Sequence, residues 1–194
     1  PWALTLALGL LAIGSCRAAY ESAPQPVLIA STEYPPYTSS SLNHDGFTNH
    51  IIAQAFKQQG ITVKFIFMPW GRALKDGAEG KYHAISYGYA NPEREKVFLH
   101  SDSIVDERVV FFVKKQLGIQ GYRRLQDLIQ YRIGITRSYT YSKEIRDFIK
   151  KNKEKVVEVN SDLQNMHLLL RGRIDIFPVG ELTGWYLLSH EFAR

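Results

Sequence analysis

Arg94 stands in Asn91-Pro92-Glu93-Arg94, just past the carboxyl end of Tyr82–Tyr89, a segment that reads as a strand. A guanidinium there presents a fork of donors that matches a carboxylate through two bonds and stays charged when desolvated. The plainer alternative is a surface arginine paired with Glu93 or Glu95. Two aromatic side chains are placed to work with it. Tyr34 belongs to Tyr34-Pro35-Pro36-Tyr37, where two prolines force the chain out of strand geometry directly after Val27–Ala30. Trp70 follows Pro69 at the start of a helical pattern. A flat π face packs an apolar stem or attracts a cation, although Trp70 suits core packing at a helix start equally well. Tyr37 is expected to pack within its own half of the molecule, and Tyr87 and Tyr89 add bulk around Gly88.

A second anion site is expected at Arg137-Ser138-Tyr139-Thr140, which leads from a strand ending at Ile135 to a helix capped by Ser142. Backbone N–H groups at a helix N-terminus receive anions readily, and Ser138 and Thr140 add hydroxyls; ordinary capping hydroxyls are the alternative. Catalytic constellations find little support. There is no Gly-x-Ser-x-Gly elbow and no paired-cysteine motif. His190-Glu191 begins a zinc-protease pattern, but Arg194 occupies the place of the second histidine. His44 and His50 have a ligand-like interval with nothing to complete a metal site. No cofactor and no metal are expected.

The elements that must carry these residues alternate in type. Val27–Ala30, Ile61–Phe67, Tyr82–Tyr89 and Glu107–Val113 read as strands, separated by helical patterns over Thr48–Gln59 and Trp70–Glu79. A second cycle follows. Arg132–Ile135, Val156–Val159 and Ile174–Phe177 are its strands; Leu125–Ile129, Ser142–Lys153, a segment after the capping box Ser161-Asp162-Leu163-Gln164, and Glu181–Ser189 are its helices. Strands separated by helices of this length imply parallel sheets with right-handed crossovers. The fold class is therefore α/β, in two lobes, each with a mainly parallel sheet flanked by helices. Lobe 1 is expected over residues 24–113, a hinge crossing at 114–116 and lobe 2 over 117–194.

Among the 194 residues, Ala3 to Ile13 form an apolar run too short to span a bilayer and of the length of a signal-peptide core. Residues 1–19 are read as a signal peptide that has lost its first residues, so export to the periplasm is expected. The single cysteine, Cys16, closes Ile13-Gly14-Ser15-Cys16, a sequence similar to a lipoprotein processing site; cleavage after Ala18 is the alternative. Either way the mature chain can form no internal disulfide, and its stability must come from a core. The net charge of +5 comes mainly from the stretch between Gly121 and Lys155. Lys143, Arg146 and Lys150 alternate there with Ile145, Phe148 and Ile149 as the wet face of an amphipathic helix, so nucleic acid is not an expected partner.

The ordered series Tyr34-Pro35-Pro36-Tyr37, Gly46-Phe47, Pro69-Trp70-Gly71-Arg72-Ala73, Asn91-Pro92-Glu93-Arg94, Leu125-Gln126-Asp127-Leu128, Arg132-Ile133-Gly134-Ile135 and Gly172-Arg173-Ile174-Asp175 resembles bacterial solute-binding protein family 3. The resemblance implies a periplasmic-binding-protein-like fold whose two hinged lobes close on a small ligand. It implies a C-terminal return to lobe 1 beyond residue 194. It further implies a non-catalytic receptor that captures a polar amino acid or similar small carboxylate and delivers it to an ABC permease in the membrane. By that resemblance Arg94 holds the ligand carboxylate, Tyr34 and Trp70 form the walls, and Ser138, Tyr139 and Thr140 take the carboxylate's other face. The acid for the ligand's ammonium falls at Gly180, so the resemblance leaves Glu181, next to it, as the candidate. Asp175 is read as scaffold. Other readings on the same fold are a dehydratase-like or transglycosylase-associated enzyme and the ligand-sensing domain of a signalling protein.

Overall fold

Short β-branched and aromatic runs form most of the strands, and α-helices of nine residues or more separate most of them. The computed structural model describes residues 25–119 and 121–192; the expected signal peptide and Cys16 lie outside the described residues. Strand β1 (Val27–Ser31) leads through the proline loop to α1 (Phe47–Gln58), then β2 (Val63–Phe67), α2 (Trp70–Ala78) and β3 (Ala84–Ile85). The short helix α3 (Pro92–Glu95) precedes β4 (Val109–Val113). The second cycle is β5 (Ile133–Thr136), α4 (Lys143–Lys151), β6 (Val156–Val159), α5 (Asp162–Leu170), β7 (Ile176–Gly180) and α6 (Glu181–Glu191).

Two separate sheets result. The first has the order β2-β1-β3 and is wholly parallel, with β1 at its centre carrying the fully buried Ile29 and Ala30. The second has the order β4-β7-β5-β6, in which β5 runs parallel to β6 and β7 while β4 runs antiparallel to β7. The chain thus crosses between sheets before Val109, earlier than the 114–116 expected from sequence. The reason is packing. Phe112 is buried with Val179 and Leu187 in a core cluster of the second sheet, and β4 pairs with β7 along its whole length, from Val109↔Gly180 to Val113↔Ile176. The expected strand at Tyr82–Tyr89 contracts to two residues, because the chain leaves the sheet after Ile85 to form the Tyr87-Gly88-Tyr89 turn.

Local signals in the sequence account for the element ends. The Ser142 and Ser161 hydroxyls accept from the amides of Ile145 and Gln164 and cap α4 and α5. Asn91 does the same for α3, accepting from Glu93 and Arg94, with Pro92 in the first turn. Asp175 accepts from the backbone and the guanidinium of Arg132 at 2.8 and 3.0 Å, joining the starts of β5 and β7. Those bonds hold the Asp175 carboxyl below its usual range, which makes Asp175 a scaffold residue.

Candidate functional site

The proline loop closes on itself before it reaches the cleft. Tyr34 and Thr38 form an isolated bridge, with the Tyr34 amide donating to the Thr38 carbonyl at 2.7 Å. This holds the Tyr34 ring at the carboxyl end of β1. Tyr37 stacks behind it at 5.7 Å between centroids and on Tyr87 at 5.2 Å, and is 2 % exposed. The Tyr87 turn is fixed by a buried polar triad: the Ser86 hydroxyl donates to the Asn49 carbonyl oxygen at 2.6 Å, and the Asn49 amide donates to the Ser31 hydroxyl at 3.2 Å. The triad ties α1 to the ends of β1 and β3, so the tyrosines that follow have little freedom.

The two lobes meet around a cavity of about 40 Å³ lined by Thr32, Tyr34, Trp70, Tyr89, Arg94 and Tyr139 among others. Trp70 opens α2 and reaches across the gap, its indole N–H donating to the Ser138 carbonyl at 3.1 Å. A Cβ on residue 88 would lie 2.7 Å from the Trp70 ring, so Gly88 is what allows the indole to lie against the turn. The Arg94 guanidinium sits over the Trp70 ring, 5.1 Å from its centroid. It donates to the Tyr89 carbonyl at 2.8 Å and, across the gap, to the Ser138 carbonyl at 3.0 Å. Ser138 adopts a positive φ of 65°, and its carbonyl is what faces Arg94 and Trp70. The helix begins only at Lys143, and the Tyr139 amide is spent on the Thr136 carbonyl. Acceptors therefore stand where the sequence led us to expect helix-end donors. The Thr140 hydroxyl accepts from Asn91 at 2.9 Å, adding a further bond across the gap.

The acid at this site is not the one named from sequence. Glu181 begins α6 and accepts from the Arg108 guanidinium at 2.8 Å, outside the residues that line the cavity. The antiparallel register that pairs Val109 with Gly180 puts Arg108 opposite Glu181, and the ion pair follows. Glu107, which precedes β4, faces the cavity tyrosines instead. Its carboxylate accepts from the Tyr34 hydroxyl at 2.8 Å, from Tyr87 at 3.3 Å and from Tyr89. The Gly180 amide in turn donates to the Tyr34 oxygen at 3.2 Å. Burial pushes the Glu107 carboxyl above its usual range, and the tyrosine hydroxyls only partly offset that. Burial beside this acid also raises the tyrosines, Tyr37 to about 12.

A second buried acid lies under the opposite wall. Asp162 accepts from the Thr136 hydroxyl at 2.6 Å and from the Tyr139 hydroxyl at 3.0 Å. Desolvation moves its carboxyl up to about 6. The Tyr139 ring meets Tyr34 edge-on at 6.0 Å, so the aromatic surface is continuous across the lobes. Beyond Tyr89 and Thr140 the cavity leads into an open groove of about 970 Å³ between β4, α4 and Tyr122–Gln126. Sequence reasoning missed Glu107, Asp162 and Asn49. Asp162 alone carried a signal, as an acid inside a capping box.

These strands, loops and lobes are those of a known group. The family model of bacterial extracellular solute-binding proteins, family 3, matches residues 27–168. The chain belongs to this family. A search of curated proteins finds no match. Among solved structures, an ancestral arginine-binding protein bound to arginine superposes with a TM-score of 0.72 at 20 % identity, over 85 % of this chain and 75 % of that one. The arginine-, lysine-, histidine-binding protein ArtJ from the thermophilic bacterium Geobacillus stearothermophilus gives 0.71 at 15 % identity, over 86 % and 72 %. A histidine kinase sensor domain with similarity to periplasmic binding proteins gives 0.70 at 17 % identity, over 86 % and 73 %. At these identities the likeness carries the fold. Family membership makes the chain a solute-binding protein. No helix among the described residues is long and apolar enough to cross a membrane.

Proposed function

We propose that this chain is an exported, non-catalytic receptor that captures an amino acid or similar small carboxylate between its lobes and passes it to an ABC permease. The observation that carries the reading is Arg94. Its guanidinium lies on an indole face at the mouth of the cleft and touches backbone from both lobes. Two of its five donors are taken by carbonyls, and the planar fork that remains suits a carboxylate. The cavity of about 40 Å³ has room for little more than a water. Ligand entry therefore requires the lobes to part, breaking the Ser138 and Thr140 contacts, which re-form as the lobes close on the ligand. Hinge motions of this kind are the usual repertoire of two-lobed receptors.

Calorimetric titration of the full chain against a panel of amino acids and small carboxylates tests the reading. Arg94→Ala is expected to weaken the ligand that binds by about 2–5 kcal/mol, the range for breaking a desolvated charge pair. Arg94→Lys should not restore it, because a point charge lacks the fork. Unchanged affinity in Arg94→Ala would remove the clamp. Conversion of the ligand to a product would replace the receptor reading with an enzymatic one.

A further inference from the structure

The far end of the second sheet collects cations. Register sets Val113 beside Ile176, Ile176 beside Ile133 and Ile133 beside Val156. One row of residues therefore crosses all four strands, at the end of β5 away from Ser138–Thr140. Just outside that row lie Lys114 and Lys115 after β4, Arg132 before β5, Lys153 and Lys155 before β6, and Arg171 and Arg173 before β7. The four flanking segments, 114–117, 129–132, 150–155 and 171–175, hold nine Lys and Arg against two acids, Glu154 and Asp175. Asp175 is taken by Arg132 at 2.9 Å, and the other cations of these segments join no ion pair among the described residues. Lys114 leans over the turn before β7, since a Cβ on residue 172 would lie 3.1 Å from its Nζ. The two lobes differ in sign as a result: residues 27–107 carry seven Lys and Arg against nine Asp and Glu, whereas 108–194 carry sixteen against nine.

We propose that this end of lobe 2 is a docking face for anionic phospholipid headgroups, holding the chain against a membrane surface by charge. Neighbouring strands lie about 4.8 Å apart, so the row spans about 15 Å and presents its cations at one level, on a face and not in a groove. A bilayer of anionic lipid is a plane of negative charge that matches such a face. Each Lys or Arg brought close to it strengthens binding by about fivefold, and the attraction fades within a Debye length. Nucleic acid fits less well. Tyr131 is the aromatic residue of the four segments, and it packs against the core cluster of Leu128 and Phe148, which leaves no ring on which a base could stack. The face lies at the opposite end of β5 from Ser138–Thr140, so headgroups and a ligand in the cleft do not compete.

The test is co-sedimentation of the full chain with two kinds of vesicle, phosphatidylcholine alone and phosphatidylcholine mixed about two to one with phosphatidylglycerol, at about 0.05 M and about 0.5 M salt. Binding to the anionic vesicles is expected to exceed binding to the neutral ones by about tenfold or more at the lower salt, and to be lost at the higher. Lys115→Glu with Lys153→Glu, or Arg171→Glu with Arg173→Glu, should each weaken it by about tenfold or more. All four side chains are exposed, and two independent pairs, each checked by circular dichroism, keep the test open if one does not fold. Lys57→Glu with Lys64→Glu changes the net charge equally from lobe 1 and should leave binding within about threefold of the unmodified chain. Equal binding to both kinds of vesicle, binding unaffected by salt, or an equal loss in the lobe 1 pair overturns the assignment. So does capture of a duplex oligonucleotide at a salt concentration where anionic vesicles stay unbound, which would give the face to nucleic acid instead.

Discussion

Asp162 is 4 % exposed, and the partners of its carboxylate are the hydroxyls of Thr136 and Tyr139. Burial without a cation raises its carboxyl from 3.8 to about 6 in the folded protein. A raised folded-state value means that the folded state holds this proton more tightly than the unfolded chain. The contribution to stability is therefore fully present below 3.8 and is lost as the pH climbs through about 6. A difference of roughly two units corresponds to about 3 kcal/mol in total. About 2 kcal/mol of that should disappear between pH 4 and pH 6, and less than about 0.5 kcal/mol between pH 6 and pH 8.

Asp162→Asn isolates the effect, because the amide keeps an acceptor for Thr136 and can donate to the Tyr139 oxygen while no longer titrating. Urea unfolding of both proteins at pH 4, 6 and 8 measures it, and subtracting the two curves removes the other titrating groups. The stability of the unmodified chain relative to Asp162→Asn should fall with rising pH by the amounts above. A difference that stays constant from pH 4 to pH 8, or that rises with pH, would refute the claim that Asp162 is buried without a compensating charge.

Two further outcomes test the geometry around the cleft. Trp70→Phe keeps an aromatic face under Arg94 but removes the bond to the Ser138 carbonyl; one hydrogen bond is worth about 1 kcal/mol, so calorimetry should show affinity weakened by roughly fivefold, whereas an unchanged affinity would show that the indole N–H adds nothing to closure. Gly184→Ala pushes a methyl into the buried Phe112 ring where α6 meets β4; overpacking of this kind costs about 1–3 kcal/mol, to be read as a lowered thermal midpoint, and an unaltered midpoint would contradict the close packing of α6 on β4.

Periodicity and punctuation made the alternation of strands and helices readable, because each such signal lies within a few residues of the structure it specifies. The proline loop after β1, the serine caps of α4 and α5, and the separation of β1–β3 from β5–β7 all follow from such local patterns. So does the position of Arg94, which a capping asparagine and Pro92 place just after the β3 turn. The first sheet's membership was legible because its three strands alternate in sequence with their own helices.

Contacts between distant segments were decided by packing alone. β4 reads as a strand in any context, and only its fit against β7, about seventy residues away, assigns it to the second sheet. That register then sends Glu181 to Arg108 and leaves Glu107 to face Tyr34, Tyr87 and Tyr89. Residues 107 and 181 are both glutamates, and no local pattern distinguishes their roles. A carboxylate has no periodic signature; whether it pairs with an arginine at the surface or is desolvated beside a cleft depends on which side chains the fold brings against it. Ser138 illustrates the same limit, since its sequence suggests a hydroxyl at a helix end, while its left-handed backbone offers a carbonyl to both Trp70 and Arg94. Sequence determined which elements form and where the clamp arginine stands; the pairing of β4 with β7 determined which acid meets the cleft tyrosines.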